Sequence, residues 1–149
     1  MKLKHFLTIF SLALLIGFSS IRINKAANLL IENLPDGIYL YGETAEPNQL
    51  GKHYIAFRKS NDRLMGFSYY RNTSENFYFS GVVTGNALSN VTLSETSVPD
   101  PNRPLTVSLS TGHSWDLSKF IPVKGTDSQV NAETEIERCT QLLQGSVPQ

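Results

Sequence analysis

The sequence predicts a mainly β protein: an antiparallel meander that closes to a small barrel or a barrel-like sheet, followed by one C-terminal amphipathic α-helix. Three observations support this fold class. Short runs rich in β-branched and aromatic residues succeed one another from Leu34 to about Val123. Turn-forming residues separate these runs at close spacing, as expected of antiparallel strands. No strand–helix alternation occurs, which disfavours a parallel sheet.

The first strands follow clear turn signals. The turn Pro35–Gly37 leads into IYLYGE, and Pro47 and Gly51 precede the second run, KHYIAFRK. A short polar loop at Ser60–Asp62 connects this run to RLMGFSYYR in a predicted hairpin. The runs NFYFSGVVT and ALSNVTLSE follow, joined by a second hairpin at Gly85. These five runs form the first part of the predicted meander.

The remaining β runs lie on either side of a glycine. After the proline-rich link Val98–Pro104, the run LTVSLST alternates, with Leu105, Val107 and Leu109 on one face. Gly112 then precedes HSWDLSKFIPV, which we expect to be the final strand. The total is about seven strands with short turns.

The C-terminal sequence predicts a helix at about 127–144. Capping residues (Thr126, Asp127 and Ser128) stand at its start, and Gly145 follows its last apolar pair. A single helix with one apolar stripe must dock on something, and the open end or face of the barrel is the expected place.

The one cysteine, Cys139, belongs to that apolar stripe together with Ala132, Ile136 and Leu143. A free cysteine in such a stripe is typically a small buried hydrophobe. Pairing with a partner, or reaction of the thiol, is the alternative. Because the chain has a single cysteine, it forms no internal disulfide, and burial must hold the fold together.

The N-terminus has the pattern of a secretory signal peptide. Lys2 and Lys4 precede an apolar run, Phe6–Ile16, which is shorter than the roughly 20 residues that a spanning helix needs. We therefore expect residues 1–26 to be a signal peptide and residues 27–149 to be a single domain. An uncleaved N-terminal anchor stays open as the alternative, because no A-x-A motif marks a cleavage site.

The charge distribution argues against two classes of partner. Four of the 13 basic residues and none of the 13 acidic residues lie in residues 1–26, which leaves a formal net charge of −4 on residues 27–149. The remaining basic residues form no cluster along the sequence. We therefore expect no nucleic-acid partner, and no membrane contact beyond the N-terminal segment.

Catalytic and metal-binding patterns are weak. Glu43 and Glu46 share one loop, and a solvated turn explains them more simply than paired acid–base carboxylates do. His113, Ser114 and Asp116 contain the residue types of a hydrolase triad, but neighbours on a strand point to opposite faces. No zinc-ligand spacing or phosphate-binding glycine motif occurs. We expect no enzyme activity, cofactor or metal site, and an exported hydrolase is the least favoured function.

Aromatic residues are the remaining signal. Most tyrosines and phenylalanines fall in four successive predicted strands, on both faces. Such rings either fill the interior and form cross-strand pairs, or line a platform or cavity for a ligand. The candidate ligand-binding residues are Tyr39, Tyr41, Tyr54, Tyr69, Tyr70, Tyr78 and Trp115.

The segment LPDGIYLYGETAEPNQLGKHYIAF, Leu34–Phe57, resembles the start of a group of small exported cyanobacterial proteins with the pattern L-P-D-G-x-Y-x-Y-G…P-N-Q-L-G-x-x-Y. The resemblance implies an exported bacterial protein and no particular activity. The predicted barrel is also similar to the lipocalin-type architecture, although Tyr39 stands where lipocalins have the tryptophan of their G-x-W start. Ligand binding carried over from lipocalins is therefore an analogy of fold.

Two functions agree with these features. The first is a non-enzymatic binding module for a small apolar or aromatic ligand held by the tyrosines, and an interior filled with side chains would argue against it. The second is an accessory protein of the periplasm or thylakoid lumen that binds another protein. An exposed apolar patch would favour that second function.

Overall fold

The computed structural model describes residues 29–96, 107–127 and 130–144, which form a mainly β structure. The predicted signal segment and the proline-rich link lie outside the described residues. In chain order the described elements are a 3-10 turn Ile31–Asn33, β1 Gly37–Gly42, β2 His53–Ser60, β3 Arg63–Tyr70, β4 Asn76–Thr84, β5 Ala87–Thr96, β6 Val107–Asp116, β7 Ile121–Pro122 and the helix α1 Ala132–Gln144.

The strands form one antiparallel sheet in the order β6-β5-β4-β3-β2-β1-β7. From β1 to β6, each strand pairs with the next one along the chain. β7 returns to the other side of β1, where Pro122 lies opposite Tyr41. The predicted antiparallel meander with a C-terminal helix is therefore confirmed.

The sheet is strongly curled. The ring centroids of His53 on β2 and Trp115 on β6 are 5.9 Å apart, although three strands stand between β2 and β6. In a flat sheet, four strand spacings would separate them by about 19 Å. The face that carries both rings is therefore concave, and we call it the inner face and its opposite the outer face. Within the described part of the chain β6 and β7 do not pair, so the sheet is barrel-like without being closed.

A cluster of buried side chains lies on the inner face. Its strand members come from alternate positions of successive strands, because neighbouring residues on a strand point to opposite faces. The other members come from the 3-10 turn, from Leu34 and from the segment between β6 and β7. Each large apolar side chain that is fully buried in this way contributes about 1.5–3 kcal/mol to stability. The buried members of this cluster are Ile31, Leu34, Tyr41, Ile55, Phe57, Leu64, Phe79, Val83, Leu88, Val91, Leu117 and Phe120.

The helix α1 covers the outer face of β1, β2 and β3. Ile136 and Cys139 of α1 are fully buried. The buried rings of the cluster that contains Cys139 are Tyr54, Phe67, Tyr69 and Tyr78. The predicted docking of the helix on a face of the sheet is confirmed, and both faces of the central strands are buried as a result.

Cys139 is a small buried hydrophobe, as predicted. Its thiol lies 3.5 Å from the carbonyl oxygen of Phe79, to which it donates. Burial raises the pKa of the thiol to about 11. The side chain is therefore protonated at neutral pH and lacks the thiolate that reactivity requires.

The predicted break at Gly112 is wrong. β6 runs through this glycine from Val107 to Asp116, and only Ile121–Pro122 forms the last strand. Between the pairs Val91–His113 and Leu93–Ser110, β6 contains one residue more than β5. Gly112 has a φ of +84°, which a glycine adopts in a bulge without steric cost. The glycine bends one strand here and does not separate two.

The predicted start of the helix is also wrong. The helix begins at Ala132, not near 127. Its N-cap is Asn131, whose Oδ1 accepts a hydrogen bond of 3.1 Å from the backbone N–H of Thr134. Asp127, a predicted capping residue, is buried and bonded to the sheet instead.

Candidate functional site

A groove lies between β1 and the start of α1 on the outer face. It has a volume of about 740 Å³ and is lined by Ile38, Tyr39 and Leu40, by residues 125–127 and by residues 130–133. A second depression of about 490 Å³ continues along α1. Its lining residues are Ile38, Arg58, Glu133, Glu137, Thr140 and Gln141. Because the two depressions share Ile38 and Glu133, we treat them as one surface and call it the outer groove.

The backbone of β1 offers hydrogen-bonding groups to this groove. The N–H of Glu43 donates to the carbonyl of His53 at 3.0 Å, so the odd-numbered residues of β1 direct their backbone groups toward β2. The even-numbered residues direct theirs to the opposite side. Accordingly, the carbonyl of Leu40 accepts a hydrogen bond of 3.0 Å from the N–H of Val123.

Ile38 stands just beyond the end of this pairing. β7 lies opposite only Tyr41 and Gly42, and the bond to Leu40 is the last one on that side. Within the described ranges, no residue bonds to the outward N–H and C=O of Ile38. The Ile38 side chain is 38% exposed, so an unpaired strand edge and an exposed apolar side chain coincide at one residue.

Three exposed charged side chains line the second depression of the outer groove. Glu133 and Glu137 lie four residues apart on α1, so they share one side of the helix, and Arg58 of β2 lines the same depression. None of the three belongs to an ion pair between described residues. Two free carboxylates and one guanidinium give this part of the groove a net negative charge.

Asp127 anchors the wall of the groove opposite β1. It is buried, and its Oδ2 accepts a hydrogen bond of 2.9 Å from the hydroxyl of Tyr69. Its Oδ1 lies 3.7 Å from the guanidinium of Arg71. Burial, together with the hydrogen bond to Asp127, raises the pKa of Tyr69 far above its usual value. The phenol therefore stays protonated and keeps donating, which holds Asp127 against β3.

A second cluster surrounds His53 on the inner face. The imidazole is 4% exposed and stacks on Tyr70 with centroids 4.1 Å apart. Trp115 and Phe120 also contact it, and its Nε2 lies 2.6 Å from Oγ of Ser68. Burial lowers the pKa of His53 to about 4, and the charge of Lys119 adds to the effect. The ring is therefore neutral at pH 7.

The Nδ1 of His53 has no hydrogen-bond partner among the residues described. Leaving such a group unpaired costs about 1–3 kcal/mol, so the ring is held by its aromatic contacts and by the single bond to Ser68. Both side chains are buried, which places the pair in the core and not in an open cleft.

The structure distributes the predicted ligand-binding residues over both faces. The inner-face cluster includes Tyr39, Tyr41 and Trp115, and Tyr70 stacks on His53 of the same face. The outer-face cluster contains Tyr54, Tyr69 and Tyr78. Tyr39 also lines the outer groove. The seven residues therefore do not meet on one platform.

The three outer-face tyrosines hold segments together through their hydroxyl groups. Tyr54 donates to the carbonyl of Glu46 at 2.8 Å in the acidic loop, and Tyr78 donates to Glu135 of α1 at 2.7 Å. Burial raises the pKa of Tyr78 to about 12. Each of these rings thus combines an apolar contact with one polar anchor.

The acidic and histidine candidates for catalysis have separate local partners. Glu43 accepts from Lys119 at 2.8 Å, and this hydrogen bond lowers the pKa of Glu43. Glu46 pairs with Lys124 at 3.7 Å. His113 lies 3.0 Å from Ser110, and Asp116 accepts from the N–H of Ser118 at 2.9 Å, with a lowered pKa.

Two features are absent from the described part of the chain. It holds no group of three or more His, Cys, Asp or Glu side chains arranged to bind a metal ion. None of its helices has the length and apolar character needed to cross a membrane.

Sequence reasoning missed the residues that define the outer groove. Ile38 reads as an ordinary member of an aromatic strand, and Glu133 and Glu137 read as the solvated side of a helix. The feature that leaves Ile38 unpaired is the two-residue length of β7, and the sequence carries no signal for it. His53 stands near the start of the run KHYIAFRK, and the sequence gives no sign that its ring is buried among aromatic side chains.

No family model, curated protein or solved structure matches the chain.

Proposed function

We propose that the chain is a non-enzymatic binding protein that docks another protein in the outer groove. The observation that carries the proposal is the coincidence at Ile38 of an exposed apolar side chain and an unpaired strand backbone. Protein partners are commonly recognised at exposed apolar surfaces and at free sheet edges. The cluster of buried side chains on the inner face also supports an outer binding surface over an internal ligand.

Binding of a small apolar or aromatic ligand in the same groove is the second candidate. The volume of about 740 Å³ lies within the range of ligand sites, and Tyr39, Leu40 and Val130 supply apolar and aromatic lining. Native mass spectrometry of the protein isolated from its own host tests it. A small-molecule adduct that is absent from the Ile38→Lys variant would support this candidate over a protein partner.

We also propose that the protein is exported, to the periplasm or thylakoid lumen. The basic and apolar pattern of residues 1–26 supports this location. The mass of the N-terminal peptide, measured on the protein from its host, distinguishes a cleaved signal peptide from a retained anchor.

Site-specific photocrosslinking in the host tests the proposed function. A photoreactive phenylalanine replaces Gln141, an exposed residue of the groove, and in a control strain it replaces Ser89, an exposed residue of β5. We expect a discrete protein adduct from position 141 and none from position 89. No adduct at 141, or the same adducts at both positions, would contradict a docking role for the groove.

A further inference from the structure

We infer that the outer groove takes an extended peptide segment of its partner, which adds a strand to the edge of β1 at Ile38 and places a basic side chain beside Glu133 and Glu137. The inference rests on the proposed function and specifies the mode of docking and the chemistry of the docked segment.

The backbone geometry requires an extended segment. Ile38 presents one N–H and one C=O on the same side of β1 on which Leu40 already bonds to Val123. A residue placed opposite Ile38 in an added strand exchanges two hydrogen bonds with it. β7 makes this kind of pairing with β1, and the last bond on that side is at Leu40, two residues from Ile38, so the added segment continues an existing ladder.

The groove accepts alternate side chains of such a segment. Ile38, Leu40 and Val130 form an apolar part of the lining. In a strand, every second side chain points to the same face, so one apolar side chain of the segment packs here while its neighbours point to solvent. From Ala132 to Gln141 the helix wall is about 14 Å long, which matches about four extended residues.

The charges select a basic residue in the segment. Glu133 and Glu137 are both exposed and free of ion pairs within the described chain, and Arg58 lines the same depression. A lysine or arginine on the segment meets two carboxylates against one guanidinium, so the net charge of the depression favours a basic side chain. The two carboxylates would repel an acidic segment, so charge contributes to specificity.

Selection of short random peptides displayed on phage tests the inference, with the folded protein as bait. We expect enriched sequences that alternate apolar and polar residues and contain Lys or Arg. The deciding variant is Ile38→Pro, which removes the outward N–H while leaving the β1–β2 ladder intact, because that N–H does not point toward β2. The matched control is Ile38→Val, which keeps the N–H and an apolar side chain.

The expected result is a loss of affinity of at least about tenfold for Ile38→Pro with the selected peptides, and less than about twofold for Ile38→Val. Equal binding by the two variants overturns strand addition. If position 141 still crosslinks a protein in the host in that case, the proposed function survives and only this docking mode fails. The double variant Glu133→Gln, Glu137→Gln should weaken the Lys- or Arg-containing peptides selectively.

Two further outcomes contradict the inference. Concentration-dependent dimerisation, abolished by Ile38→Pro in sedimentation experiments, would assign the edge to a second copy of the chain and overturn the inference. Failure to enrich any peptide over a selection against Ile38→Pro would overturn it as well. Circular dichroism melts of both Ile38 variants verify that each is folded before binding is compared.

Discussion

The hydroxyl of Tyr69 on β3 donates a 2.9 Å hydrogen bond to Oδ2 of Asp127, 58 residues further along the chain. Both side chains are buried, and the guanidinium of Arg71 lies 3.7 Å from the other carboxylate oxygen. This contact connects the centre of the sheet to the segment that follows β7 and ends at Asp127. It also fixes one wall of the outer groove, so the stability of the fold and the shape of the groove depend on the same bond.

Removing this hydroxyl should destabilise the protein. Tyr69→Phe leaves the Asp127 carboxylate buried with one hydrogen bond fewer, and we expect the free energy of unfolding to fall by about 1–3 kcal/mol. The control is Tyr39→Phe. The Tyr39 hydroxyl donates to the carbonyl of Pro35 at an exposed position, so its removal should cost less than about 0.5 kcal/mol. Urea unfolding measures both. Equal costs for the two variants would contradict the structural importance of the Tyr69–Asp127 bond.

Stability should fall in mildly acidic solution because of His53. Its pKa is lowered from 6.5 to about 4, mainly by burial, so between these values the unfolded chain binds a proton that the folded chain does not. The contribution of His53 to stability is therefore fully present above pH 6.5. As the pH falls toward 4, the free energy of unfolding decreases, with a slope approaching about 1.4 kcal/mol per pH unit. Glu43, whose pKa is lowered, and Lys119 are the charged groups near the ring. Glu43 adds a loss of the same sign only at lower pH.

The matched variant for this prediction replaces the whole buried pair. His53→Phe combined with Ser68→Ala removes the titration and leaves no hydroxyl unpaired. Its unfolding free energy should change little between pH 6.5 and 4.5, apart from the contribution of exposed groups. A slope identical to that of the unmodified protein would assign the acid sensitivity to other residues.

Gly66 should tolerate no side chain. A Cβ at this position would collide with the carbonyl oxygen of Ala56 and with the main chain of Phe57 on β2. We expect Gly66→Ala to lower the free energy of unfolding by about 3 kcal/mol, because backbone atoms of a central strand pair cannot move aside easily. Gly51→Ala is the control. Its site is open, and only the φ of +70° opposes the change, at a cost of about 1 kcal/mol. Thermal unfolding of the two variants checks the difference.

Cys139 should resist thiol reagents in the folded protein. Its thiol is fully buried, and its pKa is raised to about 11. We expect no reaction with a disulfide reagent at pH 8 and full reaction in urea, since unfolding exposes the thiol and restores its ordinary pKa. Rapid labelling of the folded protein would instead favour the reactive or partner-linked cysteine that a single thiol also allows.

The fold was largely predictable because turns and strands carry local signals. The turn Pro35–Gly37 and the hairpin at Gly85 stand where the sequence places them, and β1 to β6 pair in chain order. The errors concern residue types that are common in two different structural settings. Gly112 occupies a bulge within β6, although glycine also ends strands. Asp127 bonds to a distant tyrosine, although aspartate also caps helices.

The candidate site was not predictable from the sequence. Ile38 has a free backbone only because β7 is two residues long, and the partner strand of an edge is a tertiary property. The period of two along β1 places Ile38 and Leu40 on the same face without indicating which is covered. The distribution of the tyrosines over both faces was not predictable for the same reason. Alternation along a strand assigns each ring to one of two faces, but it does not indicate which face α1 will bury.

The connections of this sheet have consequences for the order in which it forms. Pairing from β1 to β6 joins strands that are consecutive along the chain, so these hairpins close short loops. The contacts of β7 with β1 and of α1 with β1–β3 close much longer loops, and these segments should join the sheet last. One wall of the outer groove is β1, which pairs with β2 early, and the other wall includes the start of α1, which joins last. A nascent or partly folded chain therefore lacks the groove, and a partner that binds there would select completed molecules only.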